Sequence, residues 1–237
     1  MSRRRSGCLV AVLVLLVLVV GALVVADRVA VRVAEGRVAE QIAARGGLAA
    51  TPDVDIAGVP FLTQAAAGTY RDIRVRLTAD ELGQPAGTRA DISLHGVHVP
   101  LSDVLSSSVQ QIPVDRVDGT ATLSYALLAE QLGGGTTLAA DGDRLRITGT
   151  IEVLGLDLPL TAVGTVRLDG QDVVIDVAQA SAGAAPLPPA VVRRAADLLD
   201  LRYPVPALPF GLQVTRVRPG AQGVDVRVEA PDTVLSG

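Results

Sequence analysis

One stretch of the chain decides the fold class: LRITGTIEV, residues 145–153. Apolar side chains at Leu145, Ile147, Ile151 and Val153 alternate there with polar or charged ones. Successive side chains of a β-strand point to opposite faces of the sheet, so this period of two predicts a strand with one apolar face. Such half-apolar strands are typical of antiparallel sheets, in which one face is packed and the other is solvated.

The same period recurs along the chain beyond Pro52. Ile73, Val75 and Leu77 alternate with Arg74, Arg76 and Thr78. Further strands are predicted at 158–168, 173–177, 212–218 and 224–228, with a hairpin turn at Asp169-Gly170. Short helices are predicted at 61–67, 102–109, 124–132 and 189–199, where Ser102 is an expected N-cap and prolines or glycines mark helix ends. The fold class is therefore α+β and mostly β.

The N-terminus carries a membrane segment. Three arginines at positions 3–5 precede an uncharged run of 19 residues, 8–26, which as a helix reaches about 28 Å and so matches the hydrocarbon core of a bilayer. Residues 1–26 are predicted to be an uncleaved anchor with the N-terminus inside, because the run is longer than the core of an ordinary signal peptide. The competing interpretation is a signal peptide cleaved after Ala26, which would release the rest of the chain.

The remaining chain is divided into a helix and one domain. Val31, Ala34, Val38 and Ile42 have helical spacing, and Gly46-Gly47 stops the pattern, so residues 27–47 are predicted to form a helix that continues the anchor or packs on the domain. Residues 48–237 are predicted to form a single extracytoplasmic domain.

Composition excludes several classes of function. All 21 basic residues are arginine, so no mechanism that needs a lysine amine is available. Subtracting the three arginines before residue 27 leaves 18 basic against 25 acidic residues, a net charge of −7 on the exported part. With that charge and only five aromatic rings in the whole chain, nucleic acid is excluded as an expected partner.

One internal similarity is visible. Residues 92–104 and 151–163 share the pattern I-x-[LV]-x-G-[VL]-x-[VL]-P-L-[ST]-x-V. Its meaning is either a duplicated β unit or chance likeness between two amphipathic strands. In both copies the apolar phase slips at the glycine, Gly96 or Gly155, which predicts a bulge or bend where the strand changes its inward face.

The search for catalytic residues is mostly negative. His95 and His98 are the two histidines, and two imidazoles do not complete a metal site. On a regular strand they point to opposite faces unless the irregularity at Gly96 turns one over. Ser102 and Ser124 stand where helix N-caps are expected, and neither lies in a G-x-S-x-G elbow. The sequence therefore predicts a protein that is not an enzyme and that uses no metal or cofactor.

The amount of aliphatic surface on a chain with few aromatic residues leaves two explanations open. A closed sandwich core would show this alternation, and so would a sheet curled around a groove in which acyl chains replace part of the second layer.

A set of motifs in fixed order resembles the LmeA-like phospholipid-binding family of actinobacterial cell envelopes. The motifs are PDVDIAGVPFLTQ at 52–64, GTYRDI at 68–73, GVHVPLSD at 96–103, PVDRVDGT at 113–120 and LPFGL at 208–212. The resemblance runs from about Asp27 to the C-terminus. It implies an exported, membrane-associated phospholipid-binding protein, with some members linked to lipoglycan assembly. It also implies a fold akin to the tubular lipid-binding proteins, in which a long curved antiparallel sheet and helices form an apolar groove or tunnel.

We therefore expect a phospholipid-binding or lipid-transfer protein on the outer, periplasmic side of the cytoplasmic membrane, held as a single-pass protein or secreted if the segment is cleaved. The alternative is a non-catalytic scaffolding protein of the envelope, and envelope-assembly proteins are candidate partners in either case. Side chains expected to line the lipid site are Val75, Leu77, Ile147, Ile151 and Val153. Arginines expected to hold the phosphate of the head group are Arg71, Arg74 and Arg76.

Overall fold

The structure, a computed structural model, describes residues 3–100, 102, 111–131, 135–153, 156–170, 172–182, 185–186, 201–204 and 212–236. Helices in this part of the chain are α1 (Arg3–Gly46), α2 (Phe61–Ala67), α3 (Ala79–Leu82) and α4 (Tyr125–Gln131). Strands are β1 (Asp53–Ala57), β2 (Thr69–Leu77), β3 (Arg89–His98), β4 (Gln111–Ser124), β5 (Thr137–Asp141), β6 (Arg144–Val153), β7 (Leu156–Asp169), β8 (Asp172–Ala182), β9 (Ala185–Pro186), β10 (Leu201–Pro204), β11 (Gln213–Pro219) and β12 (Gly223–Ser236). The chain is mostly β with few helices, as the alternation predicts.

The strands form two open antiparallel sheets. In the first sheet the order is β1-β2-β3-β4-β12-β11, so the C-terminal strand β12 pairs with β4 in the middle of the sheet. In the second sheet the order is β10-β8-β7-β6-β5, with β9 paired to β8. Each sheet is built largely from hairpins between consecutive strands, which is the ordinary consequence of short turns between antiparallel partners.

An inter-sheet core joins the two sheets. It contains buried side chains from β5, β6 and β7 on one side and from β11 and β12 on the other: Leu138, Leu145, Ile147, Leu160, Ala162, Val166, Val217 and Val224. Helix α4 covers this core, and it begins after Ser124, whose Oγ accepts a hydrogen bond from the Leu127 N–H at 3.2 Å. Ser124 is therefore the helix cap that the sequence predicts.

Helix α1 is a single helix of 44 residues that includes both the membrane segment and the helix predicted at 27–47. Its segment Ala11–Gly46 is long and apolar enough to cross a membrane, and residues 11–26 are all exposed in the protein. Gly47, with φ of +61°, ends the helix, and the Leu48 N–H donates to the Ala43 carbonyl at 3.1 Å. A left-handed glycine at this position is the expected stop signal.

The second half of α1 packs on the first sheet and forms the helix-side core. Ala39 lies buried against Val54 of β1 and against Val75 and Leu77 of β2. Eight residues earlier, Val31 packs on Ile56 and Phe61. Val54 of β1 contacts Ala39, whereas Ile56 contacts Val31, so β1 runs antiparallel to α1. The C-terminal end of β1 and the start of α2 therefore lie towards the uncharged segment of α1.

Most of the local elements follow the sequence predictions. Helix Phe61–Ala67 and the strands over 73–77 and 145–153 are confirmed, and Gly170 forms the turn between β7 and β8 with φ of +65°. The structure adds β4, which the alternation rule does not detect. The helix at 189–199, most of the helix at 102–109 and the slip at Gly155 lie outside the described residues.

The two copies of the internal motif differ in local structure. In the first copy, Ile92 to His98 lie within the single strand β3. In the second copy, Val153 of β6 pairs with Leu156 of β7, so the corresponding residues lie on two paired antiparallel strands. The two copies of the motif therefore have different local conformations. A duplicated β unit remains a prediction.

Candidate functional site

The first sheet carries a half-buried apolar surface, which we call the apolar face. Its centre is formed by the buried valines Val97, Val114 and Val117. Around them are half-buried apolar side chains, Tyr70, Ile73, Ile92, Leu94, Val99, Ile112, Leu212 and Leu235. Apolar side chains that keep part of their area open to solvent are a favourable place for an apolar ligand, because a ligand can remove that remaining area from water.

The apolar face is continuous with the helix-side core. Ile73, Ile92 and Leu94 pack on the buried pair Val75 and Leu77 as well as on the central valines. Beside them, Tyr70 stacks in a tilted arrangement on Phe61 at 6.0 Å between ring centroids. Burial raises the pKa of the Tyr70 hydroxyl, as expected for a phenol partly enclosed by apolar groups.

A bend across the first sheet creates this surface. Leu94 and Val97 both contact the apolar face although they are three residues apart, and so do Tyr70 with Ile73 and Val114 with Val117. On a regular strand, residues three apart point to opposite faces. Strands β2, β3 and β4 therefore each switch the side of the strand that points to the apolar face, and they do so at positions opposite one another in the sheet.

The residues at that level form the bend row, which consists of Arg71, Gly96, Asp115 and Asp232. The backbone pairing skips this row on β2, β3, β4 and β12, while the register on both sides of it stays the same. Gly96 has φ of +61° and Asp232 has φ of +43°. The prediction of a bend and a change of face at Gly96 is confirmed, and its form is a bend without a register shift instead of a bulge.

Two features of the structure disfavour any side chain at Gly96. Its positive φ is costly for residues with a side chain, and a Cβ built on it would lie 2.0 Å from Oδ2 of Asp115. The close approach of Asp115 thus depends on the absent side chain.

The opposite surface of the sheet is polar around the bend row. Nε2 of His95 lies 3.0 Å from Oδ1 of Asp118, and Nε2 of His98 lies 3.0 Å from Oδ1 of Asp115. The change of face at Gly96 places both histidines on this polar side. Oδ1 of Asp72, which is buried without a hydrogen-bond partner, lies 3.6 Å from Nδ1 of His95.

This polar cluster is a connected network, in which His95 lies between Asp72 and Asp118, and Arg116 also pairs with Asp118 at 3.1 Å. Among the described residues, no group of three His, Cys, Asp or Glu side chains is placed to hold a metal ion. Nε2 of each histidine lies within hydrogen-bond distance of a carboxylate, Asp118 for His95 and Asp115 for His98.

The three arginines proposed for the head group differ in their surroundings. Arg74 pairs with Asp72 at 2.7 Å and Arg76 pairs with Asp53 at 3.1 Å. Arg71 lies in the bend row with an exposed side chain, and within the described part of the chain no carboxylate is within ion-pairing distance of its guanidinium. Its backbone N–H donates to Oε1 of the buried Gln64 at 3.1 Å, which fixes this end of β2 against α2.

The apolar residues proposed as the lining fall into separate places. Val75 and Leu77 lie in the helix-side core, next to the apolar face. Ile147 is buried in the inter-sheet core, so the structure does not bring it together with the other two. Ile151 and Val153 have side chains outside the described residues.

Sequence analysis does not identify several residues of the apolar face. Alternation identifies Ile73, Ile92 and Leu94, but Tyr70 and Val114 fall out of phase because the bend changes the face. A signal was present: the spacing of three from Leu94 to Val97 recurs from Val114 to Val117. Recognising it requires knowing that β3 and β4 pair with these residues opposite each other.

Comparison with known proteins bears on the ligand of this surface. Neither a search of curated protein sequences nor a search of solved structures found a significant match. The model of the LmeA-like phospholipid-binding family matches residues 25–229, and the chain belongs to that family.

Proposed function

We propose that the protein binds phospholipid through the apolar face of the first sheet, on the outer side of the cytoplasmic membrane, and takes part in lipid transfer or lipoglycan assembly without catalysing a reaction. Membership of a phospholipid-binding family supports the ligand class. The observation that carries the proposed site is the half-buried apolar surface around Val97, Val114 and Val117. Burying an acyl methylene against such a surface stabilises the complex by about 0.8 kcal/mol.

Within this proposal, Val75 and Leu77 form the floor at one side of the lipid site. They are buried and contact the half-buried Ile73 and Ile92, so an acyl chain would lie on the latter pair. Arg71 is the first choice for the phosphate, because its guanidinium is not engaged with a carboxylate among the described residues. A guanidinium and a phosphate form charge-assisted hydrogen bonds, which are stronger than neutral ones.

The proposed location rests on α1. Its exposed apolar segment supports a single-pass anchor with the domain outside, and the arginines at positions 3–5 favour a cytoplasmic N-terminus. If the segment is removed as a signal sequence, the domain would be secreted. A reporter fused after Gly237 should be active outside the cytoplasm, and activity inside would contradict the orientation.

The lipid site is tested by a matched pair of substitutions, Leu94→Asp and Leu128→Asp. Both leucines are half-buried, but Leu94 belongs to the apolar face and Leu128 packs on the inter-sheet core. We expect Leu94→Asp to remain folded and to lose most of its copurified phospholipid, because a partly solvated carboxylate is tolerated while an acyl chain is not bound beside it. Leu128→Asp should retain its phospholipid.

Phospholipid is measured by extraction and mass spectrometry, and folding by thermal unfolding of the same preparation. Full phospholipid in a folded Leu94→Asp protein would contradict the proposed site. A wild-type protein that carries no phospholipid after gentle purification would favour the scaffolding function.

A further inference from the structure

The end of the first sheet nearest to the membrane segment carries an unusual apolar surface. Outside α1, the described residues include three large apolar side chains that are exposed: Val59 at 65%, Leu62 at 40% and Val234 at 50%. The first two lie in the loop before α2 and in its first turn. The third lies near the end of β12.

The strand register places all three residues at the same end of the sheet. Ala57 pairs with Asp72, so Val59 lies two residues beyond the end of that pairing, next to the start of β2. The row of Tyr70, Val97, Val114 and Thr233 crosses four paired strands at this level. Val234 follows Thr233 directly. With about 4.8 Å between neighbouring strands, the surface from β1 to β12 is about 19 Å wide.

Two hydrogen bonds determine which part of α1 lies beside this end of the sheet. Oδ1 of Asp27, which is only 5% exposed, accepts a hydrogen bond from the Leu62 N–H at 2.8 Å. Oε1 of Glu35 accepts one from the Ile56 N–H at 3.0 Å. Asp27 is the first residue after the uncharged run, and Leu62 is therefore attached where α1 leaves the hydrocarbon core.

The distances agree with the thickness of the head-group layer. Phe61 packs on Val31, which is about 6 Å along the helix from Asp27. The polar layer on each side of a bilayer is about 5–8 Å thick, and apolar groups of surface-bound proteins enter it to about 5–10 Å. Any domain attached to α1 by these contacts must meet this layer with the end that carries Val59 and Leu62.

We propose that this end of the first sheet docks on the outer leaflet of the same membrane that holds α1, with Val59 and Leu62 inserted among the lipid head groups. The inference rests on the membrane anchoring in the proposed function and deepens it. The phospholipid then comes from the leaflet in which the protein is anchored, and passes onto the apolar face without crossing water. Arg71 lies at this end of the sheet, one residue from Tyr70, where phosphates of the leaflet are within reach of an exposed guanidinium.

The test uses the full chain with Cys8→Ser, which removes its single cysteine, reconstituted in vesicles of equimolar phosphatidylethanolamine and phosphatidylglycerol. Spin labels are attached to Val59→Cys and Leu62→Cys in separate proteins. The control is Gln84→Cys, an exposed position after α3, at the opposite end of β2 and β3. Collisions with oxygen, which concentrates in the bilayer, are compared with collisions with a water-soluble nickel chelate.

We expect the labels at positions 59 and 62 to be at least several-fold more accessible to oxygen than to nickel, and the label at position 84 to show the reverse. A label at position 59 that is as accessible to nickel as the control, in protein that floats with the vesicles, would overturn the docking.

Flotation and extraction distinguish the other outcomes. Protein that does not float with the vesicles would overturn the anchoring and with it the docking. If the labels at positions 59 and 62 show the expected preference for oxygen but the protein carries no copurified phospholipid, the result would support the docking and count against the lipid site.

Discussion

Asp27 and Leu62 are joined by a hydrogen bond across 35 residues of sequence: the carboxylate oxygen Oδ1 of Asp27 accepts from the Leu62 N–H at 2.8 Å. Leu62 is in the first turn of α2, whose own N-cap position, Pro60, supplies no side-chain hydrogen bond. A side chain of α1 thus caps α2, a helix of the domain. A free N–H in the first turn of a helix needs such a partner when water is excluded.

Removing this cap should weaken the domain. We expect Asp27→Ala to lower the free energy of unfolding by about 1–2 kcal/mol, the usual effect of losing an N-cap acceptor. Asp27→Asn should cost less, since the amide oxygen can still accept the hydrogen bond. Unfolding by denaturant in detergent micelles measures both effects. Glu40→Ala, an exposed change on the same helix, is the control, and an Asp27→Ala protein as stable as this control would contradict the capping role.

The bend row gives a second prediction. Gly96→Ala should lower the free energy of unfolding by at least about 1 kcal/mol, because φ is positive at this position and the new Cβ would collide with Asp115. Gly96→Val should cost more. Gly149→Ala is the control: Gly149 is also in a strand, and its Cβ would approach no atom closer than 3.4 Å. Thermal unfolding of the three proteins decides the question, and a Gly96→Ala protein as stable as the control would show that the bend accepts a side chain.

The arginines give a third prediction, which concerns the proposed head-group contact. Arg71→Gln should weaken binding of a fluorescent phosphatidylglycerol by roughly tenfold, since hydrogen bonds to charged groups contribute about 1.5–3 kcal/mol. Arg74→Gln and Arg76→Gln should change it less, because their guanidinium groups already pair with Asp72 and Asp53. Equal losses in the three variants would point to a general charge effect instead of a phosphate contact at Arg71.

A fourth prediction concerns alkaline pH. Burial, with a further contribution from the charge of Asp225, raises the pKa of Tyr125 above its ordinary value of 10.0. A phenol whose pKa is raised by folding favours the folded state below its unfolded pKa, and this stability is lost as the pH rises through the folded pKa. We expect stability to fall above about pH 10 and to fall less steeply in Tyr125→Phe. Tyr125→Phe also removes the hydrogen bond from the hydroxyl to the Gly220 carbonyl, 2.8 Å long, at a cost of about 1 kcal/mol at neutral pH.

Denaturant unfolding at neutral and alkaline pH checks the sign of this effect. Burial also raises the pKa of Tyr70, so the Tyr125→Phe protein should still lose some stability at alkaline pH. The double variant Tyr125→Phe and Tyr70→Phe should remove this remaining loss. A Tyr125→Phe protein with an unchanged alkaline slope would contradict the assignment.

Local patterns account for the elements that the sequence predicts correctly. The alternation at 145–153 corresponds to β6, and the helix expected at 61–67 is α2, because a period of two and a helix between Pro60 and Gly68 are properties of neighbouring residues. The uncharged run before Asp27 likewise predicts a helix that can cross a membrane. Motifs in a fixed order indicate the family, which the family comparison confirms.

Tertiary structure decides where the site lies. Strand β4 contains Val114 and Val117 around Asp115 and Arg116, so its apolar spacing does not match a regular strand. The spacing makes sense only beside Leu94 and Val97 of β3, because the strands bend together in register. For the same reason alternation groups Ile147 with Val75, although they are buried in different cores.

The sequence by itself determined the class of the fold and a segment apolar enough to cross a membrane, since both depend on the local order of side chains along the chain, and its motifs indicated the phospholipid-binding family. Only the tertiary structure decided that Asp27 caps α2, that Arg71, Gly96, Asp115 and Asp232 share one row, and that Val59 and Val234 lie at one end of a sheet. These relationships join residues far apart in sequence, and they follow from strand register and helix packing, which no short stretch of the chain contains.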